Sequence, residues 1–245
     1  MDKYYDVVVY KASLYGIFLA EKFKKENKKV LILNNLGFCG GKITETLNLL
    51  QKKNGLNKFG FADKFGYLYE DSESVVLEPD TVKFYLHKFL VESNIEHLFY
   101  VHPFKVEGNR LFLMAKEGEV VIDFGVLIDA SETYDILRMM GYDLSVERAY
   151  VHLLTNRTLP TLIPSELYKF LNLKDNRSFV TIANGERELV KIDNRMTEIL
   201  IDFESKIFPI RLQIVPGNTH IIFEEPENYS KGNVVSYKQY WDGNE

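Results

Sequence analysis

The apolar runs Tyr5–Tyr10 and Val30–Leu33 bracket a segment with a different rhythm. Short apolar runs without a polar face are the pattern of strands buried on both sides of a parallel sheet. Between them, Leu14–Lys25 places Ile17, Phe18, Ala20 and Phe23 at helical spacing, and Glu26-Asn27-Lys28-Lys29 ends the helix. The pattern predicts strand, tight turn, helix and strand, with a length that fits one right-handed βαβ crossover.

Further along, Ile43–Lys52 reads as a helix, and Gly55 to Gly66 as a connection rich in glycine, lysine and phenylalanine. Glu78-Pro79-Asp80-Thr81 reads as a helix start with Asp80 as N-cap, the helix running from Thr81 to about Glu92. Asn94–Tyr100 gives a turn and a third parallel strand. Lys105–Glu107, Arg110–Ala115 and Glu119–Ile122 alternate like an antiparallel meander. Val126–Ala130 is another buried strand, and Asp135–Met140 a short helix closing at Gly141. After about residue 145 the character changes. Ala149–Leu154, Phe179–Ala183, Glu188–Ile192, Glu198–Phe203, Phe208–Val215 and Thr219–Phe223 are strand-like, and Pro164–Leu173 is helix-like. The fold class expected is α/β: a Rossmann-like parallel sheet with a small β-meander over residues 1–145, followed by a β-rich α+β region over 146–225. The polar residues 226–245 read as a loosely ordered tail.

Composition narrows the function classes. The 245 residues are 46% hydrophobic, enough for a substantial core. The net charge of −5, without a basic stripe, argues against a nucleic-acid partner. A lone cysteine, Cys39, excludes an internal disulfide framework and fits a reducing compartment. The first strand begins by Tyr5, leaving no room for a signal peptide, and no apolar run approaches the roughly 20 residues that span a bilayer. The expectation is a cytoplasmic protein without a membrane partner.

Four short motifs follow one another in the first half of the chain. Val9-Tyr10-Lys11-Ala12-Ser13-Leu14-Tyr15-Gly16-Ile17 forms the first turn, and Gly37-Phe38-Cys39-Gly40-Gly41 follows the second strand. Glu78-Pro79 opens a helix, and Leu127-Ile128-Asp129-Ala130-Ser131-Glu132 ends a strand. In this order they resemble the FAD-dependent oxidoreductases with two dinucleotide-binding folds, over residues 4 to about 150. The resemblance implies an FAD cradle made by Lys11, Ala12, Ser13, Gly16, Asn34, Gly40, Gly41, Ala130 and Ser131.

Several of these positions depart from the family pattern. Lys11 stands where the first glycine allows the turn; it either offers a charge to a phosphate or fills the space that glycine leaves open. Tyr15 is bulky where the family is small. Gly16 keeps its role of close helix–strand packing. Asn34 replaces the acid that meets the adenosine ribose, and is either a weaker ribose acceptor or a strand-end turn residue. Gly40 and Gly41 read as ligand approach or as ordinary turn glycines. Cys39 reads as packing before redox thiol. Glu132 replaces a glycine and adds negative charge, while Asp129 ties the strand end to the turn. The late Gly-Asp strand by which such chains return to the dinucleotide domain is not legible after Gly141. His87, His97, His102, His152 and His220 show no metal-ligand spacing. Phe59, Phe61, Phe65, Tyr67 and Tyr69 read as a flat pocket's lining, a buried lid or an interface.

Two functions are therefore carried forward. One is a shortened FAD-dependent oxidoreductase acting on a small molecule. The other is a flavoprotein-derived scaffold or subunit of a homo- or hetero-oligomer that has lost FAD. A third reading, a binder of another nucleotide or small molecule in the old cleft, follows from the independence of function and fold.

Overall fold

The computed structural model describes residues 4–60, 64–160, 168–226 and 229–240. In chain order come β1 (Tyr4–Tyr10), α1 (Leu14–Lys25), β2 (Val30–Asn34), α2 (Lys42–Glu45), β3 (Leu50–Lys52), α3 (Lys53–Leu56), β4 (Tyr67–Glu70) and β5 (Ser74–Leu77). Then follow α4 (Pro79–Glu92), β6 (Glu96–Phe99), β7 (His102–Glu107), β8 (Arg110–Ala115), β9 (Gly118–Asp129), α5 (Asp135–Met139) and β10 (Val146–Thr155). The remainder is β11 (Tyr168–Asn172), β12 (Ser178–Ala183), α6 (Leu189–Ile207), β13 (Leu212–Ile214), β14 (His220–Phe223), β15 (Ser230–Lys231) and β16 (Val234–Ser236). A 3-10 turn over Tyr237–Tyr240 ends the described chain. No helix among the described residues is long and apolar enough to cross a membrane.

Two compact units emerge, and they are interleaved along the chain rather than consecutive. Residues 1–41, 82–144 and 225–245 form the first, and residues 42–81 and 145–224 the second. This division differs from linear boundaries near 145 and 225, because 42–81 leaves the first unit directly after Gly41.

In the first unit the sheet order is β15-β16-β9-β1-β2-β6, with β7 and β8 continuing antiparallel from β9. β1 pairs parallel with β2 on one side and β9 on the other, so its backbone groups are used on both edges. Val7, Val8, Val9, Leu31, Ile32, Leu33, Leu127 and Ile128 are all buried, as two-sided strands of a parallel sheet require. The meander's last strand and the buried strand after it prove to be one twelve-residue strand, β9. Over residues 229–240 the expectation of a loose tail is corrected. β16 runs parallel to β9, with Val234 opposite Leu127 and Ser236 opposite Asp129, so the chain does return to this sheet.

The second unit holds a five-stranded antiparallel sheet, β11-β12-β10-β13 with β14 also on β10, and a three-stranded sheet, β3-β5-β4. α6 lies on the larger sheet and packs Ile199, Phe203 and Ile207 against Val151, Leu153, Val180 and Ile182. A fully buried side chain such as Phe203 contributes about 2–3 kcal/mol there. The strand readings of Glu188–Ile192 and Glu198–Phe203 are thereby corrected. The buried set Ile192, Ile199, Phe203 and Ile207 keeps helical spacing across nineteen residues, while each short window mimics alternation.

Three smaller expectations also change. Helix α2 is only four residues long; Leu47 takes a φ of 55° and Leu50–Lys52 pairs with β5 instead of extending a helix. The helix read over Pro164–Leu173 is a strand where described, Tyr168–Asn172 on β12, and residues 164–167 lie outside the described residues. α4 begins at Pro79, and its first turn is capped by Glu78, whose carboxylate accepts from Thr81 N at 2.7 Å, rather than by Asp80.

β9 passes β1 most closely at Gly125, where a β-carbon would lie 2.7 Å from the Asp6 carbonyl oxygen. Gly125→Ala is expected to cost about 1–3 kcal/mol by chemical denaturation, because the clash is with backbone. Gly55→Ala, with nothing within 4 Å, should hold stability or raise it by up to about 1 kcal/mol. Equal midpoints for the two variants would show that β1 and β9 are not held this tightly.

Candidate functional site

The expected cradle sits where β1, β2 and β9 end side by side in the first unit. Gly16 fixes α1 on this edge: a β-carbon there would lie 2.2 Å from the Lys11 carbonyl oxygen. Ser13 caps α1, its Oγ accepting from Gly16 N at 3.1 Å and donating to the Ala130 carbonyl at 2.8 Å. One hydroxyl therefore caps the helix and ties the first turn to the end of β9.

Lys11 adopts a φ of 83°, the left-handed backbone that glycine takes freely and other residues rarely. The Lys11 side chain folds inward, 6% exposed, and Nζ donates to Asn35 Oδ1 at 2.7 Å. Of the two sequence readings of Lys11, this geometry carries the space-filling one.

Asn34, at the end of β2, is 1% exposed. Its Oδ1 accepts from Ala12 N at 3.2 Å, and its Nδ2 donates to the carbonyls of Leu36 at 3.0 Å and Phe38 at 2.8 Å. The amide thus ties the first turn to the loop after β2. Gly40 N donates to the Ala12 carbonyl at 2.8 Å, completing the closure. Gly41 is required for close approach, but to the protein itself: a β-carbon there would meet Ser13 Cβ at 2.7 Å and the Glu132 carboxylate at 3.4 Å.

Asp129 is fully buried and holds the other rim. Its Oδ1 accepts from Ser131 N and Ser131 Oγ, and its Oδ2 from the amides of Ile136 and Leu137 at the start of α5. Burial pushes its pKa up to about 7 and the Asp135 charge adds to this, while these donors pull it back. The structural role expected for Asp129 holds. Burial also pushes the Cys39 thiol up to about 12, which removes the thiolate a redox role needs.

The returning segment closes the edge further. Tyr237, directly after β16, packs on Tyr15 with ring centroids 4.7 Å apart, and Tyr240 meets Phe23 edge-on at 5.4 Å. Beside them, Lys238 and Tyr229 both bond Glu225. Burial opposes the Lys238 charge, yet the hydrogen bond to Glu225 and the Tyr134 hydroxyl outweigh it and raise its pKa. Sequence reasoning missed this segment because three residues of β16 give no periodicity, and the expected glycine and aspartate are absent.

The histidines do not gather here. His102 is exposed on β7. His152 and His220 lie together in the second unit, Nε2 to Nδ1 at 2.9 Å, an adjacency set by strand register across sixty-eight positions and invisible to local spacing. Phe59 and Phe65 are buried and Tyr67 and Tyr69 half-buried in the second unit, while Phe61 lies outside the described residues. Among the described residues no group of three or more metal-ligating side chains assembles.

No protein-family model and no curated protein matches the chain. Solved structures do. A p-nitrophenol 4-monooxygenase from Pseudomonas putida superposes with a TM-score of 0.64 at 11% identity, over 96% of this chain and 72% of that one. An aromatic hydroxylase from angucycline biosynthesis gives 0.64 at 13% identity, over 95% of this chain and 55% of that one. A myxobacterial chondrochloren halogenase, described as a variant of FAD-dependent halogenases, gives 0.63 at 13% identity, over 96% and 68%. The chain thus spans 55 to 72% of the length of these structures, and at such identities the likeness is one of fold.

That fold implies FAD, and the residues present do not fit it in the expected cradle. Lys11, Ala12, Ser13, Asn34, Ala130 and Ser131 are 0–6% exposed, and Gly16, Gly40 and Gly41 are buried too. The Ser13 hydroxyl, the Asn34 amide and the Lys11 ammonium are all engaged within the chain.

Asn34→Asp restores the family's acid but removes both Nδ2 donors and sets a buried carboxylate against two carbonyls. The expected cost is about 2–4 kcal/mol by denaturant unfolding, with no gain in FAD affinity. A variant of unchanged stability would show that the amide network does not hold the turn.

Proposed function

We propose that this chain, which shares its fold with flavin-dependent oxidoreductases, serves as a flavoprotein-derived scaffold or subunit of a homo- or hetero-oligomer, and does not carry FAD in its first unit. One observation supports this above the others: the Asn34 side chain, at the position of the ribose-binding acid, is bound on both its oxygen and its nitrogen by the chain's own backbone. A ribose hydroxyl there would compete with three internal hydrogen bonds. The neighbouring Ser13–Gly41 contact and the inward Lys11 point the same way.

The second reading is a divergent, cytoplasmic FAD-dependent oxidoreductase acting on a small molecule. The likeness over 94–96% of the chain favours it, and so does the strand that returns to the sheet. In that case the cradle would have to open before FAD binds, and the catalytic groups would come from outside the positions named above.

Purified protein is expected to be colourless, without oxidised-flavin absorbance and without uptake of added FAD by equilibrium dialysis. Near-stoichiometric flavin would overturn the scaffold reading. Lys11→Gly combined with Glu132→Gly removes one side chain and one negative charge from the edge, and FAD affinity is expected to become measurable.

A further inference from the structure

In the second unit, β10, β12 and β14 place five side chains on the face of the sheet opposite α6. Val151 and Leu153 of β10, with Val180 and Ile182 of β12, point toward α6. By strand alternation, His152 and Tyr150 of β10 and Phe179 and Thr181 of β12 point the other way. The register sets Tyr150 opposite His220 and His152 opposite Thr181. The two histidines meet there, with His152 Nε2 and His220 Nδ1 2.9 Å apart. His152 Nδ1 bonds the Thr181 hydroxyl at 3.0 Å.

The surroundings accept this pair only when it is neutral. Its rings are covered by Phe179, stacked on His152 at 5.7 Å, and by Tyr150, 6.2 Å from His152 and 6.1 Å from His220. Both histidines are more than nine-tenths buried. Among the described residues no carboxylate bonds either ring, and the charge that bears on both is the cationic Lys42.

We propose that the His152–His220 pair is an acid-release latch, holding β14 on β10 while both rings are neutral and freeing it when they protonate. The proton inventory explains the direction. The neutral pair carries one N–H per ring, and one of these bridges the rings. A first proton can enter and keep a bridge, but it places a cation in an apolar site beside Lys42. A second proton sets N–H against N–H at 2.9 Å and breaks the bridge. Burial, with the Lys42 charge, accordingly lowers the pKa of His152, and burial, with the His152 and Lys42 charges, lowers that of His220 further.

The sign follows from linkage. The folded pKa values lie below the ordinary histidine value of 6.5, so the unfolded chain binds protons first as pH falls. The contribution is complete above about 6.5 and is lost progressively as pH falls below that value. Each histidine can lower the folding constant by up to about tenfold per pH unit in that window.

The test compares the full-length protein with His152→Leu/His220→Leu, by hydrogen exchange of β14 amides from pH 7.5 to 4.5. Wild-type β14 protection is expected to fall steeply below pH 6.5, and the double variant to show a flatter response. Equal acid responses, or no wild-type response, would overturn the latch. Histidine ring NMR of the wild type decides the matter if the variant does not fold. Two rings that stay neutral down to pH 5 while the unit is folded support the latch, and two rings titrating near 6.5 refute it.

Discussion

The α-carbon of Gly16 against the carbonyl of Lys11 is the contact on which the first unit depends. No side chain fits between them, so α1 can seat on the sheet only with glycine at that place. Once α1 is seated, its N-terminus, the end of β2 and the end of β9 share one edge. Ser13 and Asn34 then bridge those three ends with hydrogen bonds that leave little polar capacity unspent. The left-handed Lys11 shows how strongly this arrangement is determined: the turn keeps glycine's backbone even with a residue that disfavours it.

The same edge shows how the polar groups at the ends of parallel strands are spent within the fold. A dinucleotide cleft needs donors and acceptors that face outward and glycines that approach something foreign. Here those groups face one another. Gly41 approaches Ser13, the Asn34 amide approaches the neighbouring loop, and Tyr15 receives Tyr237 from the returning segment. Buried polar groups must be satisfied, and here the chain satisfies them internally.

The second unit rests on a different balance. Its larger sheet packs an apolar face on α6 and carries polar and aromatic side chains on the other face. The histidine pair is hydrogen-bonded along one line, from the Thr181 hydroxyl through His152 to His220 Nδ1, which favours it as a neutral pair over a charged one.

The sequence by itself determined the elements whose signal is local and strongly periodic. The β1–α1–β2 unit matches its predicted bounds to within a residue, because apolar runs and a helical stripe each act within a few positions. It also determined which cradle positions depart from the family pattern. Tertiary structure decided what those positions do. The Asn34 amide bonds the backbone of the first turn and of the loop after β2, partners that only the packed loop supplies. Tertiary structure likewise made α6 a helix, placed β16 back on β9, and joined His152 to His220. Each of these rests on burial or pairing between residues far apart in the chain, which no short window of sequence contains.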